Sequence, residues 1–347
     1  MESKPLLKTE TSIKTGYPSQ EVGTFLPFEI PQGAFICMIG PNGAGKSTLL
    51  RSITGVQPLL EGKILLNQAP LHTYTPKKLA QSISMVLTDA VAVGNMKALE
   101  VLAMGRYPYT SWWGTLKEKD HQVIDKVVEQ LHLSDLIHKP FYALSDGQRQ
   151  KVMLGRALVQ DTPLIILDEP TAHLDMLNRI ELVRLLRKVV KEYNKTVLLT
   201  THELELALQS ADYLWLVAGG EQNHFGQVEE LVGSGLLERY FTSEGVCFDR
   251  LNGTFHFVSG AERRKLFFAL TEKECTPAVK LKYTWIGRML SREGFQLVNS
   301  AEKAEVQILF NIFGEMEVST TLLSEGSKRV SSSGELLQLL STIDKMS

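Results

Sequence analysis

The sequence predicts an α/β fold, strands alternating with helices around a largely parallel sheet, followed by a smaller α/β domain. Three observations carry that expectation. Apolar runs with the length of buried strands alternate with stretches of helical periodicity from "AFICMI" to "YLWLV". A glycine-rich stretch, "GPNGAGKST" (residues 40–48), joins one such run to a helix beginning "LLRSIT". The run "LIIL" ends on Asp168 and Glu169, which puts two acidic groups at the carboxyl end of a strand, the edge at which open α/β sheets bind ligands.

Taken in order, "TETSIK", "TFLPFEI" and "AFICMI" read as short strands separated by glycine and proline. "GKILLNQAP" is a strand and turn, "TPKKLAQ" a short helix opened by Thr75 and Pro76, and "SISMVL" a strand. "MKALEVLAMGR" and "LKEKDHQVIDKVVEQLHL" are helical, the second with Val123, Val127 and Leu131 on one face. A helix from Asp146 to Gln160, the strand "LIIL", a long helix from Met176 to Tyr193, the strand "TVLLTT", the helix "LELALQSA" and the strand "YLWLV" complete the core. Turn signals and a hairpin-like pair around residues 245–262 mark a boundary, so the expected domains are residues 1–260 and 261–347. The second domain holds the strands "LFFAL", "FQLV" and "VQILF", a helix with Leu281, Trp285, Met289 and Leu290 on one face, and a last helix "GELLQLLSTI".

A formal net charge of −2 over 347 residues gives no basic field of the kind that draws nucleic acid. Cys37, Cys247 and Cys275 are far apart and form no metal-ligand spacing, a usage that suits a reducing compartment. The opening "MESKPLLKTETSIKTGY" has no apolar core of a secretory signal, and no apolar run approaches the ~20 residues that span a bilayer.

The stretch at 40–48 matches G-x-x-x-x-G-K-[ST], a loop whose backbone N–H groups converge on phosphate oxygens. Gly40, Gly43 and Gly45 allow close approach and positive φ; Lys46 supplies a charge to the outer phosphates, and Ser47 offers a hydroxyl to Mg²⁺. Gly40, Pro41, Asn42, Gly43, Ala44, Gly45, Lys46, Ser47 and Thr48 are therefore the candidate nucleotide-binding residues. Asp168 is placed to hold Mg²⁺ beside Ser47, and Glu169 to orient or deprotonate an attacking water.

Between loop and acids lies "LSDGQRQKVMLGRAL", which resembles the signature of the ATP-binding-cassette (ABC) ATPases; "TAHLD" and "TTHE" are similar to that family's D-loop and switch-histidine segments. The likeness spans roughly residues 9–240 and implies an ABC-type P-loop ATPase with a mixed sheet and a helical subdomain, using ATP and Mg²⁺. By this resemblance Ser145, Gly147 and Gln148 meet the γ-phosphate held by the opposite protomer of a homodimer. Asp175 lies in the D-loop, His202 acts with Glu169 on the γ-phosphate and water, and Tyr17 stacks on adenine. Two positions depart from the family: Thr88 stands where a glutamine is usual, and Asp146 replaces the usual glycine of the signature.

The insert "AMGRYPYTSWWGTLKEKD" is rich in the aromatics that anchor interfaces, with Tyr107, Tyr109, Trp112 and Trp113; a satellite core is the alternative use for each. "GRYPYT" resembles a Gly-Arg-x-Pro segment of ATPases serving importers of iron–siderophore complexes, haem or vitamin B12. The resemblance implies a peripheral ATPase on the cytoplasmic face of a bacterial inner membrane, beneath a separate permease and, indirectly, a periplasmic binding protein. A cassette acting on ribosomes or DNA is disfavoured by the single cassette and the lack of heptads, and an exporter ATPase by "GRYPYT". The C-terminal domain is expected to serve packing, dimerisation or regulation.

Overall fold

The computed structural model describes residues 4–346 apart from 88–93, 173, 219–222, 242–245, 250–252, 258–264, 272–275, 299, 312–314 and 321–325. The first unit opens with β1 (Leu7–Thr9), the hairpin β2 (Ile13–Tyr17) and β3 (Gln20–Phe25), and β4 (Glu29–Ile30). β5 (Phe35–Ile39) leads through the glycine loop into α1 (Lys46–Ile53), followed by β6 (Ile64–Leu66), β7 (Ala69–Pro70), α2 (Pro76–Ala80) and β8 (Ile83–Val86). A helical insert holds α3 (Ala98–Ala103), a 3-10 segment (Met104–Tyr109), α4 (Glu118–Gln130) and α5 (Asp146–Val159). β9 (Leu164–Leu167), α6 (Met176–Tyr193), β10 (Thr196–Thr201), α7 (Leu204–Ser210), β11 (Tyr213–Val217), β12 (Asn223–Gln227) and α8 (Val228–Gly233) complete it.

The central sheet runs β12-β11-β5-β10-β9-β8, parallel throughout except for the antiparallel edge strand β12. Its inner strands are buried along their whole length, which is why "FICMI", "LIIL" and "TVLLTT" read as unbroken runs instead of alternating ones. The smaller antiparallel sheet, β4-β1-β6-β7, shares a core with one face of it, in which Trp215 meets Phe25, Phe28 and Phe225. Because β5, β10 and β9 are neighbours and parallel, their carboxyl ends open on one edge, and the glycine loop, Thr201–His202 and Asp168–Glu169 come together there. In the insert, Ile124, Val127, Val128 and Leu131 form the buried stripe of α4, while Val123 of the expected face is only half-buried.

The chain divides at Ser234/Gly235, earlier than the boundary expected from the turn signals near residue 260. The second unit gathers α9 (Leu236–Phe241) and the hairpin β13 (Val246–Asp249) and β14 (Thr254–Phe257), where Phe255 meets both Phe241 and Phe248. These ring contacts join α9 to the hairpin, so both lie on the far side of the division from the cassette. β15 (Lys265–Leu270), α10 (Pro277–Glu293), β16 (Gln296–Val298), β17 (Val306–Phe310), β18 (Met316–Ser319), β19 (Ser327–Val330) and α11 (Ser333–Met346) form a five-stranded sheet, β16-β15-β17-β18-β19, around its own core. On α10, Ile286, Met289 and Leu290 are buried, whereas Leu281 and Trp285 of the expected apolar face are 61% and 58% exposed.

Candidate functional site

The loop from Gly40 to Gly45 is shaped by its glycines. A Cβ on Gly40 would stand 1.9 Å from the Val217 carbonyl oxygen, so only glycine lets β11 pass this close. Gly43 and Gly45 take φ of 80° and 94°, and nothing lies within 4 Å of where a Gly43 Cβ would point. Pro41 and Asn42 are exposed at the rim and Ala44 is buried beneath it. Gly45 caps α1 with no side-chain bond and no acidic residue follows in the first turn, so the positive end of the helix faces the loop.

Lys46, only 5% exposed, donates to the carbonyls of Gly40 (2.7 Å) and Pro41 (3.1 Å). Burial pulls its ammonium below the ordinary lysine value, and the charges of Glu169 and Asp168 oppose that pull. A buried ammonium beneath an open, N–H-lined cradle fits a polyphosphate. The exposed Ser47 hydroxyl lies 3.3 Å from Asp168 Oδ2, while Thr48 continues the helix. Among the described residues there is no cluster of three or more metal-ligating side chains. A hard cation shared with phosphate needs only one or two protein oxygens, and Ser47 and Asp168 are the oxygens that would hold one here.

Asp168 and Glu169 follow β9 directly. Glu169 takes a φ of 48°, unusual for a residue with a side chain, and its N–H donates to Thr200 Oγ1 at 2.8 Å. Its Oε1 accepts from His202 Nε2 at 2.5 Å when the ring carries a proton on Nε2. The structure therefore brings Lys46, Ser47, Asp168, Glu169 and His202 together from three separate chain segments.

The other expected residues lie elsewhere. Tyr17 ends β2, 46% exposed, with Arg51 of α1 donating to its hydroxyl at 3.4 Å. Ser145 caps α5: its Oγ accepts from Gln148 N, and the Gln148 side chain accepts from Ser145 N. Gly147 sits in the first turn of α5 against Asn178. Asp146 turns to Arg149 at 3.4 Å. Asp175 caps α6, accepting from Asn178 N at 2.9 Å. Thr88 lies outside the described residues.

The insert separates its aromatics. Arg106, 5% exposed, donates to Asp120 (2.9 Å) and to the Val159 carbonyl (3.0 Å) and lies 3.9 Å over the Tyr109 ring. The Tyr109 hydroxyl donates to the Gln160 carbonyl. Arg106 and Tyr109 are thus structural, holding the end of α5, whereas Tyr107 is 57%, Trp112 97% and Trp113 86% exposed. Sequence reasoning assigned no role to Thr200 or to the Arg106–Asp120 pair. The available signals were paired threonines at the carboxyl end of a strand that starts apolar, and a lone arginine among aromatics.

The family profile described as "ABC transporter" matches residues 25–172. An uncharacterised ABC transporter ATP-binding protein of Methanocaldococcus jannaschii is 37% identical over 265 residues, 76% of this chain and 91% of the relative. The iron(3+)-hydroxamate import ATP-binding protein of Bacillus subtilis is 31% identical over 235 residues, 68% of this chain and 87% of the relative. Among solved structures, an inward-facing transporter assigned to the metal-chelate type of ABC transporter superposes with a TM-score of 0.61 at 27% identity, covering 75% of this chain and 99% of that one.

Proposed function

Since the chain belongs to the ABC transporter ATP-binding proteins and is an ATPase of that family, we propose that it powers an importer for an iron chelate such as a siderophore complex. Haem and cobalamin carriers are the neighbouring choices. The convergence of Lys46, Ser47, Asp168, Glu169 and His202 on one edge of the sheet carries the ATPase part of this reading. Lys46 and the loop N–H groups hold the β- and γ-phosphates, and Ser47 and Asp168 hold Mg²⁺, which neutralises charge on the phosphates. Glu169 accepts a proton from the attacking water, with His202 fixing its carboxylate. Tyr17 stacks on adenine.

A second copy presents Ser145, Gly147 and Gln148 to the terminal phosphate, so that two nucleotides are enclosed in a homodimer, with Asp175 at its seam. Among the described residues no helix is long and apolar enough to cross a membrane, which supports a separate permease. A groove of about 770 Å³, lined in part by Val56, Pro58, Leu59, Leu71 and Leu79, suits an apolar permease segment. One wall is α2, to which the insert is tied by Lys77 donating to Thr110 O and Gln81 to Pro108 O. The dimer works at the cytoplasmic face of the inner membrane, and a periplasmic binding protein delivers the chelate to the permease. The importer reading of the site is supported by the iron(3+)-hydroxamate relative and the metal-chelate structure. Residues 1–260 and 261–347 were the domains expected from sequence; we assign the cassette to the unit ending at Ser234 and a regulatory or packing role to the rest.

Glu169→Gln tests the reading. Hydrolysis falls at least about a hundredfold, and Mg²⁺-ATP holds the variant as a dimer by light scattering. Undiminished turnover removes the role of Glu169.

A further inference from the structure

Thr200 lies in β10 beside the end of β9, where Leu199 pairs with Leu167, and it is fully buried. Before it on the strand, Val197, Leu198 and Leu199 are apolar and buried, and after it comes Thr201, itself 2% exposed. The hydroxyl is nonetheless used twice: it donates to Asp168 Oδ1 at 2.7 Å and accepts from the Glu169 N–H at 2.8 Å. It therefore bridges the side chain of one acidic residue and the backbone of the next.

The geometry has a purpose that the strand alone does not provide. In an extended chain, successive side chains point to opposite faces. At Glu169 a φ of 48° breaks the alternation, so that Asp168 reaches Ser47 while Glu169 reaches His202 in the same site. Such a backbone conformation persists only where the surroundings hold it, and the bond to Thr200 is a direct hold on that peptide.

We propose that Thr200 is a positioning residue for hydrolysis, its hydroxyl fixing the metal-side carboxylate of Asp168 relative to the water-facing carboxylate of Glu169. This rests on the roles given to those two residues under the proposed function. Thr200 touches neither nucleotide nor water; it acts through its neighbours.

The test uses the full-length chain with Thr200→Val, Thr200→Ser and Thr200→Ala. Valine keeps the shape and loses the hydroxyl, while serine and alanine both lose the methyl and differ only in the oxygen. Valine and alanine lower kcat about ten- to a hundredfold, the scale of a misplaced catalytic group, with KM for ATP changed by less than about threefold. Serine restores kcat to within about threefold of the parent. The gain in affinity that Mg²⁺ confers on a fluorescent, non-hydrolysable ATP analogue, measured against EDTA, shrinks in valine and alanine but not in serine. Equal kcat in the serine and alanine variants, or parental kcat in Thr200→Val, overturns the proposal. Glu169→Gln measured alongside separates the two ideas. Turnover surviving there defeats the underlying assignment, whereas its loss there beside parental rates in Thr200→Val defeats the positioning role alone.

Discussion

The N-termini of α1 and α5 both lie within glycine-containing motifs, "GPNGAGKST" and "LSDGQ", yet they are left in opposite states. α1 begins after Gly45 in the left-handed region with no side-chain cap and no acidic residue in its own first turn, and Asp168 meets its Ser47 hydroxyl at 3.3 Å. α5 begins with a complete capping box between Ser145 and Gln148, and Asp146 adds a carboxylate to the first turn. One end is built to receive an anion; the other has satisfied itself. Ser145 can meet a phosphate across a dimer and keep the bond from Gln148 N, because its Oγ accepts that bond and its O–H remains to donate to the anion. The far end of α5 is held as well, through Arg106 on the Val159 carbonyl and Tyr109 on the Gln160 carbonyl.

The largest expected effect falls on that held end. Asp120→Asn leaves Arg106 buried without its carboxylate and costs about 3–5 kcal/mol of stability by chemical denaturation. Burial pushes the Asp120 carboxyl up, but the Lys117 N–H and the Arg106 guanidinium outweigh it and hold the group below the ordinary aspartate value. The folded value lies below the unfolded one, so this stabilisation is full above the unfolded carboxylate range, about pH 4. It is lost as pH falls through the folded value. Asp120→Asn therefore flattens the acid limb of the stability profile, and an unchanged limb would show that the end of α5 is not held this way.

At the open end, Lys46→Ala weakens ATP binding by about 2–4 kcal/mol, roughly thirty- to a thousandfold, by fluorescence titration. Thermal stability holds, because the ammonium removed is one that burial already disfavours. Affinity left intact would mean that α1 is not the anion-receiving end. At the capped end, Ser145→Ala lowers the stability of the isolated protomer by about 1 kcal/mol, the ordinary worth of a cap, and an unchanged melting temperature would show the box to be idle.

The open end was legible in the sequence and the capped one only half so. A run such as "FICMIGPNGAGKST" encodes its own geometry, since each glycine is forced by a local φ or a close approach such as that of Val217 to Gly40. The strands "LIIL", "TVLLTT" and "YLWLV" and the helix Met176–Tyr193 were equally plain, because burial on both faces and a long 3.6 period are properties of the segment itself. What periodicity does not encode is the partner. It placed Leu281 and Trp285 on the apolar face of α10, but the residues turned to the sheet are Tyr283, Ile286, Met289 and Leu290. It did not separate Tyr109 from Trp112, because the difference lies in whether the Gln160 carbonyl is within reach. The unit boundary slipped for the same reason: the turn signals near residue 260 are local, whereas the ring contacts of Phe241, Phe248 and Phe255 are not. The bridge made by Thr200 joins residues 32 apart and exists only once β9 and β10 pair.

The smallest expected effect concerns Asp146, the residue at which the signature departs from its family. A carboxylate beside an incoming γ-phosphate would repel it, but here the side chain is 67% exposed and directed to Arg149 one turn on. An exposed pair of this spacing contributes about 0.5 kcal/mol or less, and the helix dipole adds a comparable amount. Asp146→Asn keeps the shape and removes the charge, so stability falls by no more than about 1 kcal/mol and kcat for ATP stays within about twofold. If the asparagine variant instead binds ATP tenfold or more tightly as a dimer, the carboxylate faces the phosphate in the closed state. The Asp146 side chain would then leave Arg149 on dimer closure.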